Sequence, residues 1–501
     1  MRLFEAMLAL SNLLAFFLWA APLPGSIRWM RHATPAALLI AATQVLAEGP
    51  RWQMVPAYGL AGLFALLWLR STIIEAGGSA TRQQTNRLLA EAAIGLGGMG
   101  LAISVALPML LPVFAFPQPG GPNAIGTVTY HWVDASRREV FSTDVNVRRE
   151  LMVQVWYPAS RGSSLPHAPY VQDAGALWAA LARLHNWPEF IFGHLKYVIT
   201  NAIPSAPVSD ADPDYPVLIF LEGLTGYRQM STFQVEELVS HGYIVLGIDQ
   251  PGAAALVDFP DGHQIAGLSK TQMDPLTQQS VSPADMVPLL NGHAFRNGII
   301  PYFAQDISFA LDRLASLNSD DPNHILTRRL DLHRIGVFGV SFGGIVGADA
   351  CLKESRLKAC LIMDVVMTAD VVAQGFQQPG MWITRDADTM RLERETAGGW
   401  TEKDIEQTQT TMRAVYDRLP ADGYFLQVPG MFHVNLTDIP YFSPLFSWLG
   451  ITGPIDGQRA HDIINAYSLA FFDRHLKAQS ADLLDGPTRQ FPEVSFESRL
   501  P

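Results

Sequence analysis

Long apolar runs without a charged residue mark the first quarter of the chain. They cover residues 6–23, 33–47, 54–69 and 92–116. A helix that spans a bilayer needs about 20 apolar residues, with about 17 as a lower bound. The fourth run has 25 residues, whereas the second is short and contains Pro35. A signal peptide would explain the first run alone. We therefore predict a membrane region of four transmembrane helices, with two or three as the alternative count.

Shorter apolar runs alternate with amphipathic segments through the rest of the chain. Strand patterns cover residues 127–134, 151–157, 217–221 and 244–248, and helix patterns cover 304–317, 344–353 and 462–475. This alternation predicts an α/β fold with a mostly parallel sheet and helices on both faces. The segment PQPGGPNA at 117–124 is typical of a linker. We expect a membrane region at 1–116, this linker, and one α/β domain at 125–501.

The run RIGVFGVSFGG, residues 334–344, reads as a buried strand, a G-x-S-x-G turn and the start of a helix. This is the pattern of a nucleophile elbow, in which a serine is exposed at the top of a sheet. Gly339 and Gly343 lie where a larger residue would clash in so tight a turn. Ser341 is therefore the candidate nucleophile.

A serine nucleophile needs a base, and the base needs an acid that fixes its tautomer. A strand pattern at 359–363 ends in Asp364, and the loop PGMFHVN after the strand pattern at 424–428 presents His433. The order Ser, Asp, His is that of α/β-hydrolases. Asp386 and Asp388, which follow another strand pattern at 381–384, are alternative acids. His461 and His475 in a helical stretch, and His324 and His333 before the elbow, fit packing or solvent better.

An oxyanion intermediate needs two backbone N–H donors. In α/β-hydrolases one belongs to the residue after the nucleophile and the other to a loop after an earlier strand. The first is Phe342 here, and Leu224 in the sequence FLEGLTGYR is the candidate for the second.

Several of these motifs together resemble the platelet-activating factor acetylhydrolase family, in its lipoprotein-type or isoform II branch. They are GVSFGG, CLIMD, EGLTGYR followed by SHGYIVLGID, VWYP and YSLAFFDRHL. The resemblance covers most of residues 125–480 and implies an α/β-hydrolase fold. It assigns Ser341 as nucleophile, Asp364 as acid in preference to Asp386, His433 as base, and the amides of Leu224 and Phe342 as oxyanion donors.

The same resemblance implies a serine esterase that acts on glycerophospholipids with a short or oxidised acyl group, without a cofactor. Family members usually carry histidine before the Gly-Leu of the oxyanion loop and before the nucleophile. This chain has Glu222 and Val340 at those positions. Glu222 brings a carboxyl group near the site and bears on the head-group preference. Two other functions stay open, a general short-chain carboxylesterase or lipase, and a catalytically idle membrane sensor or scaffold.

Composition and charge limit the partners and cofactors that this protein is expected to have. Apolar residues make up 49% of the chain and charged residues only 16%, which fits a lipid bilayer as a partner. A net charge of −12 without a basic run argues against nucleic acid. No motif for a metal ion is present in the sequence. Cys351 and Cys360 are expected to be small buried packing residues.

Arginines between the apolar runs indicate the orientation of the chain in the membrane. The loops after the first and third runs hold five arginines: Arg28, Arg31, Arg70, Arg82 and Arg87. The N-terminus and the loop after the second run hold only two, Arg2 and Arg51. Cytoplasmic loops are enriched in Lys and Arg. The α/β domain is therefore expected outside the cytoplasm, as in a multi-pass protein of a bacterial inner membrane.

Two segments hold more aromatic residues than the sheet scaffold needs. They are residues 174–202 and, just after His433, residues 439–451. Two interpretations stay open for both segments: ordinary core, or an acyl pocket or a lid at the membrane surface.

Overall fold

A computed structural model describes residues 1–76, 87–162, 165–172 and 174–500; Arg82, counted above, lies outside this part. The chain divides into two compact units. The helical unit contains Met1–Phe114, Phe190–Val198 and Phe442–Pro444. The sheet unit contains Ala115–Glu189, Ile199–Tyr441 and Leu445–Pro501.

Within the described residues, the helical unit has four α-helices: α1 (Leu3–Ala20), α2 (Ala36–Glu48), α3 (Val55–Ala76) and α4 (Arg87–Leu110). In the same described part, three helical stretches are long and apolar enough to cross a membrane, namely Leu3–Ala20, Trp52–Ile74 and Glu91–Leu110. With 13 residues, α2 is about 20 Å long at 1.5 Å per residue, which is short of a hydrocarbon core of about 30 Å. The structure therefore favours three candidate spans, which is within the alternative count of two or three.

A buried ion pair joins distant parts of the helical unit. The Arg51 guanidinium donates to both carboxylate oxygens of Glu5, at 2.7 and 2.6 Å, and both side chains are buried. Arg51 Nη1 also donates to the carbonyl of Leu111 at 2.8 Å. Removing one partner of such a pair costs about 3–5 kcal/mol, because the other charge is left buried. Arg51 thus ties the start of α1 to the end of α4.

Two segments from later in the chain also pack within the helical unit. The ring of Trp52 lies 5.4 Å from that of Phe190, and its Nε1 donates to the carbonyl of Ile191 at 3.3 Å. The rings of Phe114 and Phe442 stack at 5.6 Å. Part of each aromatic-rich segment therefore serves to pack this unit.

The sheet unit has the fold expected from the sequence. Its strands are β1 (Ala124–Arg138), β2 (Arg148–Ala159), β3 (Ala202–Pro204), β4 (Tyr215–Leu221), β5 (Ile244–Asp249), β6 (Leu256–Asp258), β7 (Gln264–Ala266), β8 (Leu289–Leu290), β9 (His293–Ala294), β10 (Leu330–Val340), β11 (Leu357–Met363), β12 (Gly380–Thr384), β13 (Gly423–Gln427) and β14 (Ser495–Arg499). Its α-helices are α5 (Ala174–Leu184), α6 (Thr232–Ser240), α7 (Lys270–Val281), α8 (Ile300–Ser319), α9 (Phe342–Lys353), α10 (Ala369–Gln374), α11 (Ala387–Thr396), α12 (Glu402–Tyr416) and α13 (Gly457–Leu476).

Ten strands form the main sheet in the order β14-β13-β12-β11-β10-β4-β5-β2-β1-β3. The six strands from β13 to β5 in this order are parallel, and β2 and β14 pair with them antiparallel. The predicted α/β-hydrolase fold is confirmed.

Central strands are buried on both faces, which explains their unbroken apolar runs. Successive side chains of a strand point to opposite faces. In β4, Val217 and Ile219 belong to one core cluster, and Leu218 and Phe220 belong to another. The two cores hold the sheet rigid, so the loops at its carboxyl edge start from fixed points.

Cys351 and Cys360 form a disulfide, and the expectation that they only fill space is wrong. The first lies on α9 and the second on β11, and their Cα atoms are 6.6 Å apart. The helix runs back along the sheet after the elbow, so its last turn meets the start of the next strand. This bond links the helix that follows Ser341 to the strand that precedes Asp364.

Candidate active site

Ser341 occupies a strained turn between β10 and α9, with φ 55° and ψ −125°. A Cβ on Gly339 would lie 2.5 Å from the backbone of Gly343, and one on Gly343 would lie 2.1 Å from the carbonyl oxygen of Leu221. Both distances are far below van der Waals contact. Glycine is therefore required on either side of the serine, as the G-x-S-x-G pattern predicts.

Sheet register places Ser341 and Asp364 side by side. Val340 and Met363 are partners at the ends of β10 and β11, so the residues that follow them leave the sheet at the same edge. The Ser341 N–H donates to the Met363 carbonyl at 2.9 Å, and the Asp364 N–H donates to the Ile383 carbonyl at 3.1 Å.

Asp364 is completely buried and bound to His433. Its Oδ2 lies 2.6 Å from His433 Nδ1 and 2.8 Å from Nε of Arg385, while Oδ1 accepts from the Thr384 hydroxyl at 2.8 Å. Burial alone would raise the pKa of Asp364, but the charge of Arg385 and the hydrogen bond from His433 hold it well below its usual value. The ionised carboxylate fixes Nδ1 of the imidazole, which leaves Nε2 as the nitrogen able to accept a proton.

Within the described part of the chain, the Ser341 hydroxyl makes no hydrogen bond. The structure thus brings Asp364 and His433 into contact and sets Ser341 on the same edge. Nucleophile and base often come within hydrogen-bond distance only when a substrate is bound.

The loop that holds Leu224 lies directly against the serine. A Cβ on Gly223 would be 3.3 Å from Cβ of Ser341 and 3.9 Å from its Oγ. Thr225 has φ 59° and donates to the carbonyl of Ala253 at 2.7 Å, which fixes the turn. Among the described residues, neither the Leu224 nor the Phe342 amide donates a hydrogen bond. Both N–H groups are thus available to an oxyanion.

Comparison with known proteins assigns the family. Residues 115–486 match the family described as platelet-activating factor acetylhydrolase, isoform II. The chain belongs to this family.

Relatives and a solved structure agree with the acetylhydrolase family. A probable 1-alkyl-2-acetylglycerophosphocholine esterase of Arthroderma benhamiae is 24% identical over 412 residues, which is 76% of this chain and 94% of the relative. The platelet-activating factor acetylhydrolase of Gallus gallus is 23% identical over 72% of this chain and 84% of its own length. A ferulic acid esterase of Streptomyces cinnamoneus superposes with a TM-score of 0.58 at 27% identity, over 77% of this chain and 99% of that one. The protein is a carboxylic ester hydrolase.

Glu222 differs from the histidine usual in acetylhydrolases. Its side chain is buried, and Oε1 accepts a hydrogen bond from the Gln250 amide at 3.2 Å. Burial and the nearby charge of Asp249 raise the pKa of Glu222 well above its usual value, although Arg228 opposes them. The uncharged form of Glu222 is therefore favoured up to a higher pH than in an ordinary glutamate.

The alternative acids and bases have other partners. Asp386 caps α11 by accepting from the Thr389 N–H at 2.8 Å, and Asp388 pairs with Arg391 while its side chain is 92% exposed. His461 lies buried on α13, with Nε2 2.9 Å from the carbonyl oxygen of Thr437. These placements support the preference for Asp364 and His433.

Arg385 and Glu393 support the candidate acid and base, and the sequence analysis missed both. Arg385 is buried between Asp364 and Glu393, and pairs with each. Glu393 also accepts from the His433 N–H at 3.1 Å. The ring of Trp400 lies 5.3 Å from that of His433 and 4.8 Å from the Arg385 guanidinium. The sequence signal for Arg385 was its position directly after β12, the strand that pairs with the strand of Asp364.

Asp438 joins the segment of His433 to the oxyanion loop. Its buried carboxylate accepts from the amides of Thr232 and Phe233, at 2.9 and 3.1 Å, and from the Tyr170 hydroxyl at 2.8 Å. The Tyr170 hydroxyl lies 2.8 Å from that of Tyr227, within EGLTGYR. Both sides of the site are thus held to one carboxylate. Across the described ranges, no group of three or more His, Cys, Asp or Glu residues is placed to hold a metal ion.

Proposed function

We propose that this protein is a membrane-anchored serine esterase that cleaves short or oxidatively shortened acyl groups from glycerophospholipids, with Ser341, His433 and Asp364 as its triad. One observation carries the proposal. An ionised, buried Asp364 holds Nδ1 of His433 at the sheet edge where the elbow presents Ser341.

The reaction has two stages, formation of an acyl-enzyme and its hydrolysis. Ser341 Oγ attacks the ester carbonyl carbon while its proton passes to Nε2 of His433, and the amides of Leu224 and Phe342 bind the oxyanion. The intermediate collapses, the C–O bond to the lysophospholipid breaks, and the leaving alkoxide takes the proton from His433. Water then attacks the acyl-enzyme with the same base and releases the carboxylic acid and the free serine.

A short acyl group is favoured because a lipid held in a bilayer must lift its ester to the serine. Withdrawal costs about 0.8 kcal/mol for each methylene that leaves the hydrocarbon. An acetyl chain therefore reaches the site at far lower cost than a palmitoyl chain. The names of the Arthroderma and Gallus relatives, an acetylglycerophosphocholine esterase and an acetylhydrolase, support an acetyl ester.

The proposed anchor consists of the three candidate spans, with the sheet unit on the outer side of a bacterial inner membrane. With three spans, Arg2, Arg70, Arg82 and Arg87 lie on one side, against Arg28, Arg31 and Arg51 on the other, and this bias favours the cytoplasm for the side of Arg82. If α4 spans, the chain after it emerges on the other side, whether or not α2 crosses. The disulfide Cys351–Cys360 supports the same side, since disulfides persist in oxidising compartments. An alkaline phosphatase fused after residue 124 should be active there, and a cytoplasmic reporter at this point should be silent.

The substrate preference is tested by measuring hydrolysis rates of the acetyl and palmitoyl forms of one glycerophospholipid and of a soluble butyrate ester, with and without a chelator. We expect rapid cleavage of the acetyl lipid, slow cleavage of the palmitoyl lipid, and no effect of the chelator. The likeness to a ferulic acid esterase favours a second candidate, a general carboxylesterase. Equal rates on both lipids, a calcium requirement, or activity on the butyrate alone would favour that candidate.

A further inference from the structure

A cavity of about 560 Å³ lies in the sheet unit, and its lining does not include the triad residues. Its walls come from the connection between β1 and β2, the hairpin β8–β9, and the first turns of α8. The Asn291 side chain of the hairpin donates to the carbonyl of Val140 at 3.0 Å, which fastens two of these walls. The cavity is therefore a formed part of the fold.

Two arginines and one histidine, unpaired in the described part of the chain, line this cavity. Arg138, Arg296 and His293 all face it, and within the described residues none of the three side chains makes an ion pair or hydrogen bond. The other charged groups of the wall are occupied. Arg137 pairs with two aspartates, and Glu139 pairs with Arg149 at 3.0 Å. A guanidinium presents a planar fork of donors that matches a phosphate or carboxylate.

The cavity belongs to the same edge of the sheet as Ser341. Strand β2 runs antiparallel to β5, with Met152 opposite Asp249, so the connection between β1 and β2 lies at the carboxyl end of β5. Two contacts continue from there toward the oxyanion loop. Gln250 donates through its side chain to the Phe303 carbonyl at 3.0 Å, and through its backbone N–H to Glu222.

The hairpin beside the cavity also exposes apolar side chains. Met286 just before it is 87% exposed, and Leu289 on β8 is 70% exposed. Apolar groups next to unpaired cations fit a ligand that carries both a phosphate and a hydrocarbon chain. An inorganic anion would use only the cations.

We propose that this cavity binds the phosphate of the phospholipid head group, with Arg138 and Arg296 as its ligands. The proposal rests on the proposed function, since it names the part of that substrate held away from the ester. Arg138 and Arg296 then determine specificity and leave the bond-breaking steps unchanged.

The test uses the full chain in detergent micelles and two substrates that share one alkyl chain and one acetyl ester. One is 1-alkyl-2-acetylglycerophosphocholine and the other is 1-alkyl-2-acetylglycerol, which lacks the phosphate. We expect Arg138→Gln with Arg296→Gln to raise KM for the phospholipid about tenfold with kcat unchanged, because bidentate contacts to phosphate are lost. Neither constant should change for the acetylglycerol. Arg489→Gln, which removes an exposed arginine elsewhere, is the matched control.

Other outcomes would overturn the proposal in distinguishable ways. A phospholipid KM that the double substitution leaves unchanged would reject the cavity as the head-group site. If inorganic phosphate then inhibits the wild type but not the double variant, the cavity takes free phosphate instead. Equal losses on both substrates would reduce the arginines to a structural role. Cleavage of the acetylglycerol but not of the phospholipid by the wild type would instead reject the proposed substrate.

Discussion

Two buried carboxyl groups lie at the same sheet edge, yet their pKa values are shifted in opposite directions. Asp364 follows β11 and faces Arg385 and His433, whereas Glu222 follows β4 and faces Asp249. Burial raises the pKa of both groups, and only Asp364 has a cation close enough to reverse the effect. Burial alone therefore does not decide which carboxyl group serves as a charged acid. The charge next to the carboxyl group decides the direction of its pKa shift.

The largest effect should come from removing the charged carboxylate. Asp364→Asn should lower kcat by about 10⁴, since an amide favours the wrong tautomer of the histidine. Asp386→Asn is the matched control and should stay within a few-fold of wild type, because it affects only a helix cap. Steady-state kinetics on a soluble ester would measure both. If kcat fell more in Asp386→Asn than in Asp364→Asn, Asp386 would be the acid of the triad and the prediction would be wrong.

Removing the cation should make Asp364 resemble Glu222. Arg385→Met should lower kcat/KM by about tenfold to a hundredfold, as loss of an outer partner of an active-site group commonly does. Because Arg385 depresses the pKa of Asp364, the carboxylate of the variant should take up a proton at higher pH. The acid limb of the rate profile should therefore move to higher pH. Arg391→Met, on the surface, should leave the profile in place, and an unmoved limb in Arg385→Met would contradict the account.

Glu222→Gln should have a small effect on activity, within about threefold, because an amide of similar shape replaces a carboxyl group whose raised pKa favours the uncharged form. The raised pKa of Glu222 means that its buried charge appears at a higher pH than in an ordinary glutamate. Stability that depends on the neutral form is present at lower pH and is lost as pH rises through the raised pKa. Activity and melting temperature of the wild type should thus fall in alkali more steeply than those of the variant. If Glu222→Gln lost activity at pH 7 while Glu222→Asp kept it, the charge of the carboxyl group would be needed, which would contradict this prediction.

The disulfide should affect stability more than rate. Cys351→Ser with Cys360→Ser should lower the free energy of unfolding by about 2–3 kcal/mol, since the bond closes a short loop. The rate should change less than about threefold, because Ser341 and Asp364 keep their strand contacts. Chemical unfolding with and without a reductant would measure this. A wild type insensitive to reductant would mean that the bond is absent.

The strands, the elbow and the order of candidate site residues could be predicted from the sequence because each depends on local pattern. Ser341 is fixed by its two glycines, and His433 by a loop after a strand. Arg385 follows a recognisable strand, but its pairing with Asp364, 21 positions away, depends on the register of β11 and β12 and could not be predicted from local pattern. Cys351 and Cys360 required the same kind of information. The second apolar run, short and with Pro35 near its start, forms the 13-residue α2, and its crossing of a membrane stays a prediction.

Labelling with a fluorophosphonate, followed by peptide mapping, tests the central claim most directly. The reagent reacts with a serine that a neighbouring base has activated. We predict one adduct, on Ser341, that forms rapidly in the wild type and in Asp386→Asn and is lost or greatly slowed in Asp364→Asn and His433→Ala. An adduct on another residue, or rapid labelling of Ser341 in Asp364→Asn, would contradict the account.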